Sequence, residues 1–394
     1  FASYARTSSY SPLIFQLNRV RRYMVANNPG QSPSVAIGTI PEVNSTYGYF
    51  EANYGIMNEW SVGFGESTCS GVFGTNSVGH GGKALLSIDS LSRIAMERAK
   101  TSKQAVHIMG TLAEKYGFYG AGSFEGSAES LMVVDPTEGW IFQILPDDTG
   151  ASAIWAAARV PDDHVGIVAN MFTIRGLDVD DTKNFAFSAS VHTIAQKKGW
   201  WKPDDGPLDF TAIYSDGEYA HKFYSGRRMW GGYGMLAPSV KLPDNYTDLR
   251  FDTVYPTFVK PDKKVTVADL LAVHRTFYEG TKYDMTKGVA AGPFGNPDRF
   301  KTQGITKIKG AWERSIGLFR TTQAHVLQAR SWLPKGQGGV VWYGPHAAHG
   351  SCFVPLTVGM TELPISHTTA DPRTIDRTSA WYVEVELFFL LPMK

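Results

Sequence analysis

Residues 84–169 read as two amphipathic helices followed at once by four strand-like runs, and that order limits the fold more than any other stretch of the chain. In residues 84–100, Leu85, Ile88, Leu91 and Ala95 share one helical face, with Arg93, Glu97 and Arg98 on others. In residues 103–116, Val106, Met109, Ala113 and Tyr116 repeat at helical spacing, with Ser102 as N-cap and Gly117 as the stop. Apolar runs at 130–134 and 140–145 flank Asp135-Pro-Thr-Glu-Gly, a hairpin connection. Runs at 153–160 and 165–169 flank Pro161-Asp-Asp, a second turn signal. Helices followed by consecutive hairpins predict an α+β fold, an antiparallel sheet covered by helices. They argue against the strand–helix alternation of a doubly wound parallel sheet.

The remaining chain is less regular. Residues 1–46 show no sustained period and read as an irregular N-terminal segment. Residues 47–64 suggest strands and turns, 266–279 a helix, and 316–358 a further sheet-like stretch. No linker or repeat stands out. The expectation is one large domain over 47–394, with a peripheral insertion around 180–315.

Composition excludes several classes. With 394 residues, 43% hydrophobic and 19% charged, the chain can bury a substantial core. Its 38 basic and 37 acidic residues leave a charge of +1, which supplies no global field for a phosphate backbone, so nucleic acid is not an expected partner. Two cysteines, Cys69 and Cys352, rule out a disulfide scaffold and a four-cysteine zinc site, and leave one disulfide open. The apolar run at 384–393 is interrupted by charge and far below membrane-spanning length. Sequons at Asn44 and Asn245 lean toward a secretory or lysosome-like compartment, and the scarcity of cysteine leans the other way.

Local candidates for chemistry each carry two readings. Gly71, Gly74, Gly79, Gly81 and Gly82 form a glycine-rich stretch without the strand–turn–helix setting of a nucleotide site. His346 and His349 could supply two metal ligands, or line a loop. Cys69 could be a nucleophile with His80 as its base, or a small buried residue. Asn58 stands at a turn before Glu59. Its side-chain N–H could meet a developing oxyanion, or its amide could serve the backbone. Asn170 follows a strand candidate in the same way. Arg227 and Arg228 could bind a carboxylate, or be solvated charges.

The run Asn53-Tyr-Gly-Ile-Met-Asn-Glu resembles the dipeptidase A and secernin family of N-terminal-nucleophile cysteine hydrolases, with penicillin V acylase and bile salt hydrolase as distant relatives. The resemblance continues through Leu91-Ser-Arg-Ile-Ala-Met-Glu-Arg-Ala, Glu129-Ser-Leu-Met-Val-Val-Asp-Pro-Thr-Glu-Gly-Trp and Val165-Gly-Ile-Val-Ala-Asn-Met-Phe. It returns at Leu327-Gln-Ala-Arg-Ser-Trp-Leu-Pro and Trp342-Tyr-Gly-Pro-His-Ala-Ala-His-Gly, so the ordered blocks span about 35–360. It implies an αββα sandwich, two antiparallel sheets between helical layers. It also implies autocatalytic maturation to an N-terminal cysteine whose own α-amine is the base. Carried over, Asn58 matches the Asn-Glu position tied to the oxyanion hole, Asn170 the later asparagine, and Arg228, or by a one-residue slip Arg227, the arginine near the nucleophile. No metal or organic cofactor is implied.

The departure lies at the start, where Phe1 has no nucleophilic atom and the family's opening hairpin has no counterpart. The resemblance then implies a preceding segment, held noncovalently if it is cleaved, because a sandwich without it would leave sheet edges unpaired. Its alternative is a noncatalytic, secernin-like interaction protein on the same fold. The implied substrate is a short peptide. A homo-oligomer stays open.

Overall fold

The computed structural model describes residues 3–5, 13–16, 36–52, 54–120, 126–217, 222–244, 255–299, 313–368 and 375–390. Its strands are β1 (Ser3–Ala5), β2 (Leu13–Gln16), β3 (Ala36–Ile40), β4 (Tyr49–Glu51), β5 (Gly55–Asn58), β6 (Gly63–Cys69), β7 (Ala128–Val134) and β8 (Gly139–Pro146). They continue with β9 (Ala153–Val160), β10 (Val165–Gly166), β11 (Phe185–Phe187), β12 (Phe258–Val259), β13 (Ala324–Ala329), β14 (Gly339–Gly344) and β15 (Val354–Thr357). The α-helices are α1 (Ile88–Arg98), α2 (Ser102–Tyr116), α3 (Ser190–Lys197), α4 (Phe210–Tyr214), α5 (Arg227–Leu236), α6 (Val267–Arg275), α7 (Ile365–Thr368) and α8 (Ala380–Leu390).

Eight strands form one antiparallel sheet in the order β1-β4-β5-β6-β7-β8-β9-β11. Alternation along its strands sorts two cores. Leu131, Val133, Trp140, Phe142, Ile144 and Trp155 face α1 and α2, packing on Leu91, Ile94, Val106 and Met109. Ile141, Leu145, Ile154 and Ala156 face the other way, against Phe172, Val191, Leu208, Phe210 and Tyr214. The helical layer is pinned by Arg93, which is buried and reaches Glu51 at 2.8 Å and Asp89 at 3.0 Å. Thr101, one residue before the expected Ser102, caps α2 by accepting from the Gln104 N–H.

A three-stranded sheet, β13-β14-β15, covers the β4–β6 end of the second face. There Val341, Tyr343 and Leu356 pack on Phe50, Ile56 and Met57. Two further two-stranded antiparallel pairs, β2-β3 and β10-β12, complete the sheets among the described residues. The described elements add detail to three readings. Among the described residues of 1–46 there are three short strands, and β1 pairs along β4 although three residues carry no readable alternation. The second hairpin is not formed as read: β9 pairs with β11, and β10 pairs with β12. The segment expected to lie at the periphery supplies Val191, Leu208 and Phe210 to the second core. The Asn245 sequon and Asn53 lie outside the described residues, whereas Asn44 is exposed.

Candidate active site

The middle of β6 departs from the rest of the sheet. Although β6 is an interior strand, Gly65, Glu66, Ser67 and Thr68 are only half-buried. Seven residues pair with β7, but β5 meets β6 at a single pair, Met57 with Gly63. Beyond that pair, among the described residues, no strand runs along the other edge of β6. Two side chains reach that edge instead. His325 Nε2 lies 3.0 Å from the Phe64 carbonyl, and Asn170 Nδ2 donates to the Thr68 carbonyl at 2.6 Å. Burial lowers the pKa of His325, so the ring is a neutral donor.

Asn170 is held by its backbone. Its φ of 53° lies in the left-handed region that asparagine tolerates better than most residues. Its N–H donates to Ser67 Oγ at 2.7 Å, and its carbonyl accepts from Ser225 Oγ at 3.2 Å. The second amide hydrogen has no protein partner among the described residues. A π-type turn, Lys222–Gly226, leads into α5 and brings Arg228 alongside. Arg228 donates to the carbonyls of Tyr224 at 2.8 Å and Ala169 at 3.2 Å, and its guanidinium sits 4.5 Å from the Tyr224 ring. Burial pulls its pKa down from 12.5 to about 10, with the nearby charge of Arg314 adding to the fall. It stays a cation at neutral pH.

Arg227, one residue away on α5, faces elsewhere. It binds Glu313 at 2.7 Å and the Asp244 carbonyl at 2.8 Å, and stacks 3.2 Å from the Tyr283 ring. The hundred-degree step between helical neighbours puts Arg228 beside Asn170 and makes Arg227 a clamp on the 313 segment.

Asn58 matches the other of its two sequence readings, an amide that serves the backbone. Its side chain is fully engaged: Nδ2 donates to the carbonyls of Met96 and Ala99 at 2.9 and 2.8 Å, and Oδ1 accepts from the N–H groups of Trp60 and Val62 at 3.0 Å. Both amide hydrogens close the C-terminal end of α1, so neither remains to meet an oxyanion. Asn58 fixes the β5–β6 turn on the helical layer, away from Asn170.

Cys69 is buried, its thiol directed at the Ser67 carbonyl at 3.3 Å, and it is not joined to the exposed Cys352. His80 instead meets Ser77 Oγ at 3.2 Å on a 3-10 turn, so the pairing with Cys69 is not formed. Among the described residues no group of three or more His, Cys, Asp or Glu side chains is placed to hold a metal, so His346 and His349 gain no third ligand. His349 packs on Phe277 and is held neutral by burial, its pKa lowered to about 4.

Three residues were missed from sequence. The Tyr224 ring meets both Arg228 and Arg314, and Tyr278 donates to the Arg314 carbonyl. Tyr278 has φ 67°, and it and Asn170 are two of three non-glycine residues with positive φ among those described. Such backbone persists where surrounding contacts over-determine it, often at functional sites. No local pattern marked these residues, since turns of single residues leave no periodicity.

A family model described as peptidase family C69 matches residues 34–390. The chain is 25% identical over 357 residues to a probable dipeptidase of Salmonella dublin, covering 84% of this chain and 73% of that protein. It is 27% identical over 259 residues to a probable dipeptidase of Latilactobacillus sakei, covering 66% of this chain and 47% of the relative. It is 24% identical over 271 residues to dipeptidase A of Lactobacillus helveticus, covering 68% and 50%. The chain thus spans about half the length of the latter two.

Proposed function

This chain belongs to peptidase family C69, and we propose that it forms the body of a dipeptidase whose N-terminal cysteine nucleophile lies on a segment preceding Phe1. The observation that carries this is the open edge of β6, with Asn170 and Arg228 beside it. An added strand there would satisfy main-chain groups and place its first residue near Asn170. The fold would then be an N-terminal-nucleophile sandwich, matured by autocatalytic cleavage.

In the proposed reaction the α-amine takes the thiol proton and sulfur attacks the peptide carbonyl. The carbonyl π electrons pass to oxygen, where the second Asn170 amide hydrogen would donate. Collapse breaks the C–N bond and the leaving amine takes the proton from the α-ammonium. Water then cleaves the thioester, releasing the acid and restoring the thiol. Arg228 supplies a fixed positive charge beside the site and keeps the thiolate favoured.

The test is hydrolysis of a dipeptide panel by the natural protein, with intact mass measured on the same sample. Turnover by a species carrying residues before Phe1 that begin with cysteine is expected. Turnover by a chain beginning at Phe1, or no turnover by the cysteine-initiated species, contradicts the proposal.

A further inference from the structure

Several arginines held in this fold have a carboxylate. Arg93 has Glu51 and Asp89, Arg159 has Glu138 and Asp162, Arg175 has Asp209, and Arg227 has Glu313. Others, such as Arg275 and Arg330, hold main-chain carbonyls instead, but Arg228 and Arg314 are two cations brought to one ring. Arg228 meets two main-chain carbonyls and the Tyr224 ring at 4.5 Å, and the Arg314 guanidinium meets the same ring at 5.2 Å, with no acid paired to either among the described residues. The two cations share that one ring, and the contacts around it are fixed from several directions. The Arg314 N–H donates to the Phe223 carbonyl at 2.8 Å, and Tyr278 donates to the Arg314 carbonyl. Both guanidinium groups are partly buried, and each has its pKa lowered, first by burial and, for Arg228, also by Arg314. The acidic neighbour Glu313 is bound by Arg227 at 2.7 Å.

Two adjacent, partly desolvated cations without a counterion destabilise the empty site, and a bound anion relieves both the repulsion and the lost hydration. A guanidinium offers a planar fork that matches a carboxylate. We propose that Arg314, with Arg228, binds the free α-carboxylate of the substrate and so selects peptides that end one residue beyond the cleaved bond. The choice of a peptide carboxylate rests on the dipeptidase reading. The anion-binding property does not. A longer peptide puts an uncharged amide where the carboxylate belongs and leaves the cations unpaired, which is the stronger form of discrimination.

The experiment uses the natural mature protein and two probes, Ala-Ala with a free carboxylate and its C-terminal carboxamide. Hydrolysis is measured for both. Binding is measured in parallel by calorimetry with the reduced-bond analogues, which cannot be cleaved. Wild type should favour the acid over the amide by about ten- to a hundredfold, the range of a charge-assisted contact. Arg314→Gln should abolish that ratio through KM rather than kcat, and Arg314→Lys should restore part of it. Thermal unfolding confirms that the variants are folded. An acid-to-amide ratio unchanged in Arg314→Gln overturns the assignment, as does equal affinity of wild type for the two analogues or binding of neither. If binding shows the preference and no dipeptide is cleaved, the dipeptidase reading fails while the carboxylate site stands.

Discussion

Asn58 and Asn170 carry the same side chain into opposite settings. Asn58 lies fully buried between sheet and helical layer, with four hydrogen bonds on its amide. Asn170 lies half-buried on the other side of β6, in left-handed backbone, with one amide hydrogen engaged and one left over beside a cation. A saturated buried amide holds architecture, because every partner would be orphaned without it. An unsaturated one beside unpaired charge is available to a ligand. The contrast recurs one residue apart on α5, where Arg227 has its carboxylate and Arg228 has none among the described residues.

Substitutions can break this comparison. Asn58→Ala would strand two helix-end carbonyls and two turn N–H groups, and should lower stability by about 3–5 kcal/mol in urea unfolding. A loss below about 1 kcal/mol together with abolished turnover would instead put Asn58 in the site. Asn170→Gly keeps the left-handed backbone and removes the amide. Turnover should fall about a hundredfold, about 2.7 kcal/mol, while the unfolding midpoint barely moves. Equal losses of stability and activity would make Asn170 another architectural residue. Arg227→Gln should cost about 2–3 kcal/mol of stability by breaking its buried bond to Glu313, whereas Arg228→Gln should show its effect in kcat/KM. Reversal of that pattern would exchange their roles. The smallest effect is in pH. Arg228 is charged below its pKa of about 10, so acid-analogue binding should hold through neutral pH and weaken as pH rises through about 10. A midpoint near neutrality would point to a different group.

What the sequence made legible was local. The apolar spacing of Leu91, Val106 and Met109 located α1 and α2, and the Asp135 turn located the β7–β8 hairpin. Partner choice was not legible. The 165–169 run pairs with Phe258 and Val259, over ninety residues later, because the short Phe185–Phe187 strand takes the edge of β9. At the site, resemblance pointed to Asn170 and to the Arg227–Arg228 pair, but helix rotation was needed to choose between the arginines. The resemblance also pointed to Asn58, whose engagement with the Met96 and Ala99 carbonyls depends on where α1 ends relative to β5. Arg314 and Tyr278 join the cluster through contacts across the fold that no sequence spacing encodes.

The central claim is that a cysteine on a segment before Phe1 works at the open edge of β6. The most direct measurement follows inactivation of the natural protein by a thiol alkylator while mass spectrometry locates the label. Loss of dipeptide turnover in step with labelling of an N-terminal cysteine, independent of label on the exposed Cys352, is the expected result. Turnover that survives complete labelling, or that is lost in step with Cys352, would contradict the account.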